Sequence, residues 1–309
     1  MHLFQRLGFK VVLATLLFAF GLIVMAGCGD DQGEYIAEVD AWHTERLERL
    51  SSDTGWLTLV GLHPLGHGEN IIGSGQDNDV VMTSAAPVRL GTVTIKGEDI
   101  NFAVAEGVLI NVERSGDDEV KAFAGGELAS DASGAADKLM TGSLVFYVVQ
   151  RGDKFFLRVK DRQSEVYTSF KGIERFPVNP AWRIEARLEG EAGTMRVANV
   201  LGQVSVEPTP GTLVFEWNGE TYRLHPTGKA GEELFIVFGD ATNGSGTYPG
   251  GRFLVTSVPD SDGMIVLDFN QAYNPPCAFT EYATCELPGL ANTLGISVAA
   301  GEKVWGTGH

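Results

Sequence analysis

Apolar positions change their spacing once along the chain, near residue 50. Before that point, residues 35–50 carry apolar or aromatic side chains every three or four positions, with charged residues between them. The members of this stripe are Ile36, Val39, His43, Leu47 and Leu50. The spacing predicts one amphipathic α-helix of about four turns. We interpret Trp42 and His43, in the middle of the helix, as packing residues.

After residue 53, short runs rich in β-branched and aromatic residues replace the helical period. These runs recur roughly every 8 to 12 residues between glycines, asparagines and aspartates, which is typical of a sandwich or barrel. Residues 125–137, rich in Ala, Gly, Ser and Asp, are predicted to form a loop or a ragged hairpin. The predicted strands before that segment are 56–60, 70–72, 79–82, 88–95, 100–104, 108–112 and 119–123.

Two tight turns are expected in the later strands. Arg151-Gly152-Asp153 lies between two apolar runs, and Asn218-Gly219 lies between two others. Both are hairpin signals, and the second is typical of a type I′ turn. Residues 164–170 are expected to continue the same succession of strands.

Two prolines within residues 176–180 mark the boundary between two β blocks, because proline interrupts helices and central strands. Beyond them, residues 182–189 alternate apolar and charged positions, so one face of that strand should be buried. The predicted fold class is all-β, or β-dominant, with one N-terminal amphipathic helix and two packed sandwich-like or barrel-like halves. The predicted divisions are residues 35–175 and 176–309.

The first 27 residues have the three parts of an export signal. A basic start precedes the apolar run 11–25, which is shorter than the roughly 20 residues of a membrane span. Ala26 and Gly27 then precede Cys28. This arrangement resembles bacterial lipoprotein signals, which implies cleavage before Cys28 and its acylation with chains such as palmitate. Residues 28–34 would form a polar tether. The alternative is an uncleaved N-terminal anchor.

Charge narrows the range of partners. The chain carries a net charge of -17, and cleavage removes Arg6 and Lys10, which leaves 21 basic against 40 acidic residues and a net charge of -19. This field disfavours nucleic acid and anionic lipid head groups, so the acyl chains alone would attach the protein to a membrane. Gly29 after the cysteine resembles lipoproteins sent to the outer membrane. We therefore expect an exported protein on the periplasmic face of the envelope, at the outer rather than the inner membrane.

Two cysteines remain if Cys28 is acylated. Cys277 and Cys285 would meet an oxidising compartment, which favours a disulfide between them. The closed loop is short, and the chain-entropy estimate gives roughly 2 to 3 kcal/mol of stabilisation. The alternative is a metal or redox pair. However, the spacing is not CxxC, and no histidine lies near the two cysteines in sequence.

A group of polar residues in the last third is the candidate site. Asp268 and Asn270 are two apart at the end of an apolar run, so they would share one face of a strand. Asp240 ends a neighbouring run, and Arg252 begins the next. If these strands are adjacent, the four side chains converge at one rim of the sheet. Such a rim could bind a small polar ligand, hold a divalent cation between Asp240 and Asp268, or supply paired carboxylates for acid–base chemistry.

Structural roles are the alternative for the same residues. An aspartate at a strand end often caps a turn, and an Arg–Asp pair can simply hold loops together. Supporting candidates for the site are Tyr248, Tyr273, Asn274 and Asn292. The Gly-rich segment 242–251 lacks the features of a nucleotide loop. It is either a small anion-binding nest or a plain connection between strands.

Two family resemblances follow from quoted stretches. Residues 68–74 and 78–82 resemble the opening of a forkhead-associated domain, which implies a β-sandwich. Ser74 occupies the position of that family's arginine, and residues 83–86 contain no Arg or His, so we reject a phosphopeptide partner. The stretches GWLTLVGLHPLGHGENIIGSGQDNDV, FLRVKDR, FGDATNGSGTYPGGRFL and LDFNQAYNPPCAFTEYATC resemble the bacterial and archaeal family of unknown function numbered 1684, over residues 35–304. Glu286 departs from that family, where Pro usually follows the second cysteine.

Three functions remain open, because this family has no established activity to transfer. The preferred one is a lipid-anchored envelope protein that binds a small polar or saccharide-like ligand at the rim described above. The second is a hydrolase that uses Asp240 and Asp268 as an acid and base pair, although common hydrolase motifs are missing from the sequence. The third is a structural or assembly role in the envelope.

Overall fold

A computed structural model describes residues 30–117 and 119–306. The predicted signal sequence and the lipidation position Cys28 lie outside the described residues. Within the described residues, strands dominate, and two α-helices accompany them: α1, Asp30–Leu50, and α2, Glu165–Ser169. The predicted β-dominant fold class is thus confirmed.

The N-terminal half is a sandwich of two sheets. One sheet has six strands in the order β1-β11-β10-β9-β6-β7, and the other has five in the order β3-β2-β4-β5-β8. Its strands are β1 Leu59–Leu65, β2 Gly68–Gly73, β3 Val80–Val81, β4 Gly91–Lys96, β5 Asp99–Val104, β6 Ile110–Glu113, β7 Val120–Phe123, β8 Gly126–Leu128, β9 Lys138–Thr141, β10 Leu144–Arg151 and β11 Lys154–Asp161.

Apolar side chains from both sheets form one core in this half. Phe102 of the five-stranded sheet packs edge-to-face against Phe146 of the six-stranded sheet, with ring centroids 6.0 Å apart. Strand β11 contributes Phe155, Leu157 and Val159 to the core, because alternate residues of a strand point to one face. The residues between them, Arg158 among them, point to the outer face of the six-stranded sheet.

The C-terminal half contains a four-stranded sheet, in the order β16-β15-β12-β19, and two two-stranded ribbons, β13-β14 and β17-β18. In β12, Ile184 and Ala186 are buried, whereas Arg183, Glu185 and Arg187 are exposed, which confirms the predicted alternation. The strands are β12 Arg183–Glu189, β13 Gly193–Ala198, β14 Val204–Thr209, β15 Thr212–Trp217, β16 Glu220–Leu224, β17 Leu234–Phe238, β18 Arg252–Thr256 and β19 Met264–Asp268.

Both predicted hairpin turns are present. Arg151 pairs with Lys154, so the β10–β11 loop is two residues long, and Gly152 has a φ of +64°. Asn218 and Gly219 both have positive φ, +51° and +80°, as a type I′ turn requires. Cys277 and Cys285 lie at disulfide-bonding distance, with their Cα atoms 6.1 Å apart. This agrees with the predicted pair.

Three local predictions were wrong. Residues 165–169 form α2 rather than a strand, because the Ser164 side chain accepts a hydrogen bond from Tyr167 N and caps a helical turn. Residues 56–58 form a 3-10 turn before β1. Residues 30–34 belong to α1 rather than to a tether, so the helix begins before the first residue of its apolar stripe.

Helix α1 packs on residues from both sides of the predicted boundary. Leu50 packs with Ile173 and Phe279, and Trp42 lies against Tyr273. Tyr35 and Arg46, which are polar, complete its buried face. Among the described residues, no helix has both the length and the apolarity to span a membrane.

Candidate functional site

Three of the predicted rim residues, Asp240, Arg252 and Asn270, are buried, whereas Asp268 is half-buried. The Arg252 side chain is fully buried, and its Nη2 lies 2.8 Å from Asp240 Oδ2. The same guanidinium donates to the carbonyl oxygens of Val298, at 2.9 Å, and Ala300. Burial lowers the pKa of Arg252, whereas the Asp240 carboxylate opposes that shift. The pair Asp240–Arg252 therefore joins the ends of β17 and β18 to the C-terminal segment.

The remaining oxygen of Asp240 is also fully used. Oδ1 accepts hydrogen bonds from the N–H of Thr242 at 2.8 Å, from the hydroxyl of Thr242 at 2.6 Å and from the N–H of Val298 at 3.1 Å. The residue is 5% exposed. Because the Asp240 side chain is fully buried and paired with Arg252, it presents no lone pair to solvent for acid–base chemistry in this arrangement.

The Gly-rich segment is closed on itself. The backbone N–H groups of Ser245, Gly246 and Thr247 all point to the carbonyl oxygen of Thr242. The Asn243 amide group donates to Thr247 Oγ1 at 2.9 Å and to the Tyr248 carbonyl at 3.0 Å. These donors are no longer available to an anion. Of the two interpretations of this segment, the connection between strands agrees with the geometry.

Asp268 and Asn270 form a second network with helix α1. The Tyr35 hydroxyl lies 2.8 and 2.9 Å from the two oxygens of Asp268, and Asn270 Nδ2 donates to that hydroxyl at 2.8 Å. Asp268 also accepts the N–H of Asn270 at 3.0 Å and so caps the 3-10 turn Phe269–Gln271. Burial and the Asp268 carboxylate raise the pKa of Tyr35. Asn270 therefore lies beside Asp268 through a turn, not through strand alternation as predicted.

A third network contains Asn274. Its N–H donates to Glu302 Oε2 at 2.7 Å, and its Nδ2 donates to the Lys303 carbonyl at 2.8 Å. Arg46 of α1 donates to the Asn274 carbonyl at 2.9 Å. Its Nε atom lies 3.4 Å from Glu302 Oε1. Burial raises the pKa of Glu302, whereas Arg46 and Arg252 oppose that shift. Glu302, which is paired with Arg46, also interacts electrostatically with Arg252, which is paired with Asp240. Charges of opposite sign therefore alternate in the order Asp240, Arg252, Glu302 and Arg46. We call this set the interior charge chain.

The predicted site residues thus divide into two sets: Asp240, Arg252 and Asn274 lie along the interior charge chain, whereas Asp268 and Asn270 bond to Tyr35. No hydrogen bond among the described residues connects Asp240 with Asp268, and Tyr248 donates to the Cys277 carbonyl at 3.1 Å. In the part of the chain that the structure describes, no group of three or more His, Cys, Asp or Glu side chains has a metal-binding arrangement. The single open rim that we expected is therefore wrong. Turn capping and loop pairing, the structural alternatives, describe these residues better.

An open cleft lies beside these networks, on the other side of β17. Its volume is about 670 Å³, within the range of small-molecule sites. Strand β13 of the β13–β14 ribbon, the ends of β15 and β16, strand β17 and residues 286–292 enclose it. The apolar side chains that line it include Met195, Val197, Phe235, Val237 and Leu287. We call it the ribbon cleft.

A few polar groups interrupt the apolar lining of the ribbon cleft. The Asn292 side chain holds the wall, because it accepts the N–H of His225 at 2.7 Å and donates to the carbonyls of His225 and Val237. The His225 ring contacts Thr212 Oγ1 through Nδ1 at 3.2 Å. This leaves Nε2 as the ring nitrogen without a described partner. Asn292, a supporting candidate from the sequence, is therefore at the cleft but in a positioning role.

Glu286 is the polar side chain of the cleft that sequence reasoning missed. It is half-buried, and its Oε2 atom is buried without a hydrogen-bond partner among the described residues. Burial, with a contribution from Glu207, raises the pKa of this carboxyl above its ordinary value of 4.5. The sequence did contain one signal for it, since Glu286 stands where proline was expected from the resemblance.

Comparison with known proteins covers this half of the chain. Residues 168–303 match a family described as "Protein of unknown function (DUF1684)". The chain belongs to this family. The matched segment contains the interior charge chain, apart from Arg46, and the whole ribbon cleft. An uncharacterised protein from gene locus rrnAC0354 of Haloarcula marismortui, solved by solution NMR, is 32% identical over 45% of this chain and 80% of its own, with a TM-score of 0.37. No curated protein matches the chain.

Removing Arg252 should be costly. Arg252→Met would leave Asp240 buried without its counter-charge, and we expect the free energy of unfolding to fall by about 3–5 kcal/mol in urea. Arg187→Met, at an exposed arginine of β12, is the matched control and should change it by less than about 0.5 kcal/mol. Adding Asp240→Leu to Arg252→Met should recover part of the loss. A loss below about 1 kcal/mol for Arg252→Met would contradict the assignment.

Glu286 should make stability depend on pH. Its folded-state pKa is raised, so its contribution is fully present below the ordinary value of 4.5 and is lost as pH rises through the folded-state pKa. Urea unfolding of the native chain and of Glu286→Gln between pH 4 and 7.5 should show the variant gaining stability, relative to the native chain, as pH rises. Glu220→Gln, at an exposed glutamate, controls for the loss of one charge. A difference that does not change with pH would contradict the environment assigned to Glu286.

Proposed function

We propose that the protein is an exported, lipid-anchored envelope protein that binds a small amphipathic molecule in the ribbon cleft. The observation that carries this proposal is the cleft itself, an open space of about 670 Å³ with an apolar lining and one unpartnered carboxyl oxygen. The networks around Asp240 and Asp268 offer no comparable opening, because their polar atoms are already bonded within the protein.

The lining supports a ligand with an apolar body and a polar end. Burying apolar ligand surface against Met195, Val197 and Phe235 would contribute roughly 25 cal/mol for each Å² removed from water. Glu286, His225 and Arg196 are available to fix the polar end. Further hydrogen-bonding side chains line the cleft, among them Thr194, Thr209, Thr212 and Thr227. A lining that is mainly apolar but carries polar groups favours an amphipathic ligand over a purely polar one.

The two other functions have unequal support. The hydrolase function would depend on Asp240, which is 5% exposed and paired with Arg252. A substrate therefore has no open route to its carboxylate. One observation favours the structural or assembly role in the envelope. The β13–β14 ribbon exposes apolar side chains to solvent: Val200 at 42%, Leu201 at 53%, Val204 at 47% and Val206 at 63%. Such a patch suits contact with another protein of the envelope.

Blocking the cleft should abolish binding. Ala291 lines the cleft and is exposed, so Ala291→Trp should fill the space with little effect on folding. With the uncharged dye N-phenyl-1-naphthylamine as the probe, we expect at least a tenfold loss of affinity in this variant. Ala122→Trp, at an exposed alanine of β7, should bind as the native chain does. Decanol should displace the dye and maltose should not; displacement by maltose alone, or unchanged binding in Ala291→Trp, would contradict the proposal.

Membrane attachment is tested separately. Cys28→Ser should prevent acylation, and mass spectrometry of the membrane fraction should then lack the acylated chain. Gly29→Asp should retain the acyl chains but move the protein from the outer to the inner membrane fraction. If Cys28→Ser leaves an unprocessed chain in the membrane at the native level, the uncleaved-anchor alternative is correct instead.

A further inference from the structure

Two basic side chains lie buried on the outer face of the six-stranded sheet. Arg158 and Lys160 are two residues apart on β11 and therefore point to the same face. They are 8% and 7% exposed. Both side chains approach the ring of Trp56: the Arg158 Cζ atom lies 5.6 Å from its centroid, and the Lys160 Nζ atom lies 5.7 Å from it. The two charges thus share one location.

Neither cation has an anionic partner in residues 30–117 and 119–306. Arg158 forms no salt bridge with a described carboxylate, and its Nε atom is buried without a hydrogen-bond acceptor. Lys160 donates to the backbone carbonyl of Thr54 alone. The other two buried arginines behave differently, since Arg46 is paired with Glu302 and Arg252 with Asp240.

Burying Arg158 and Lys160 without an anionic partner among the described residues lowers the stability of the folded state. A buried charge without a partner loses its hydration and gains little in return. Burial and, to a smaller extent, the nearby Arg158 and Lys138 together lower the pKa of Lys160 to about 8. Neutral pH lies below this pKa, so Lys160 carries its positive charge there. Lys138 is already paired with Glu113 at 2.5 Å, so Glu113 does not serve the other two cations.

Aromatic rings partly replace the missing carboxylate. Arg158 Cζ also lies 6.0 Å from the centroid of the Tyr147 ring, on the neighbouring strand β10. Cation–π contacts of this kind stabilise a cation but provide no hydrogen-bond acceptor. Trp56 and Tyr147 are both half-buried, so the face between them is partly open to solvent. The guanidinium and the ammonium thus have donors left over beside an accessible surface.

We propose that Arg158 and Lys160, flanked by Trp56 and Tyr147, bind a small oxyanion, such as the phosphate or carboxylate group of a soluble metabolite. The planar guanidinium can take two oxygens of such a group, and the ammonium adds a third donor as a point charge. The molecule carries a net charge of -17, so its overall field repels anions. Binding would therefore depend on these two local cations. The four residues of this site belong to the N-terminal half, lie outside the matched residues 168–303, and do not line the ribbon cleft.

The test titrates the purified full chain with inorganic phosphate and, separately, with acetate, against sodium chloride of equal ionic strength. Phosphate or acetate should raise the melting temperature in a saturable manner and change tryptophan fluorescence. Arg158→Met and Lys160→Met should each weaken the apparent affinity at least tenfold. Arg187→Met and Lys96→Met, at exposed positions in other sheets, should leave it unchanged. Trp56→Phe should lose the fluorescence change and keep the shift in melting temperature.

Stability without the anion gives a second measurement. Because each side chain is a buried charge without a described counter-charge, Lys160→Met should leave the melting temperature unchanged or raise it. If Arg158→Met does not fold, Lys160→Met carries the test alone. The proposal is overturned if neither anion shifts the native chain beyond the chloride control. An equal shift in Lys160→Met and in Lys96→Met would overturn it too.

Discussion

The interior charge chain constrains the C-terminal half more than any other interaction does. Arg252 binds Asp240 and the carbonyls of Val298 and Ala300, and Glu302 binds Arg46 and the backbone of Asn274. Helix α1, the Gly-rich segment, strand β18 and the C-terminal segment therefore meet through four charged side chains. Buried pairs of this kind are not an efficient source of stability, because desolvation offsets most of the attraction. Their geometric demands instead fix how these four segments sit against one another.

Features that depend on neighbouring residues could be predicted from the sequence, whereas the buried polar contacts between distant residues could not. The alternation of residues 182–189 and the turns at Gly152 and Asn218-Gly219 depend only on local chemistry, and all three were found in the structure. The stripe on α1 was identified from its apolar members alone. Tyr35 and Arg46, on the same buried face, escaped notice because polar residues are exposed by default. The Ser164 cap of α2 was a local signal that was present and not used.

The candidate site was harder to predict, since proximity and accessibility are separate properties. Asp240 and Arg252 do lie together, as adjacent strand ends imply, but their neighbours exclude water from them. The ribbon cleft is built from β13, β17 and residues 286–292, which are far apart in sequence. No period or motif marks such an assembly. The sequence marked its walls at two positions, the supporting candidate Asn292 and the unexpected Glu286 next to the second cysteine.

Residues 30–34 give α1 a consequence for the whole molecule. The helix is 21 residues long, about 32 Å at 1.5 Å per residue, and its first turn extends beyond Tyr35, the first residue that packs on the body. Under the proposed anchoring, acylated Cys28 would precede this helix by only two residues. The first turn of α1, rather than a flexible tether, would then connect the folded body to the lipid anchor. The body's distance from the lipid surface, and the direction in which its openings face, would be set by the fold.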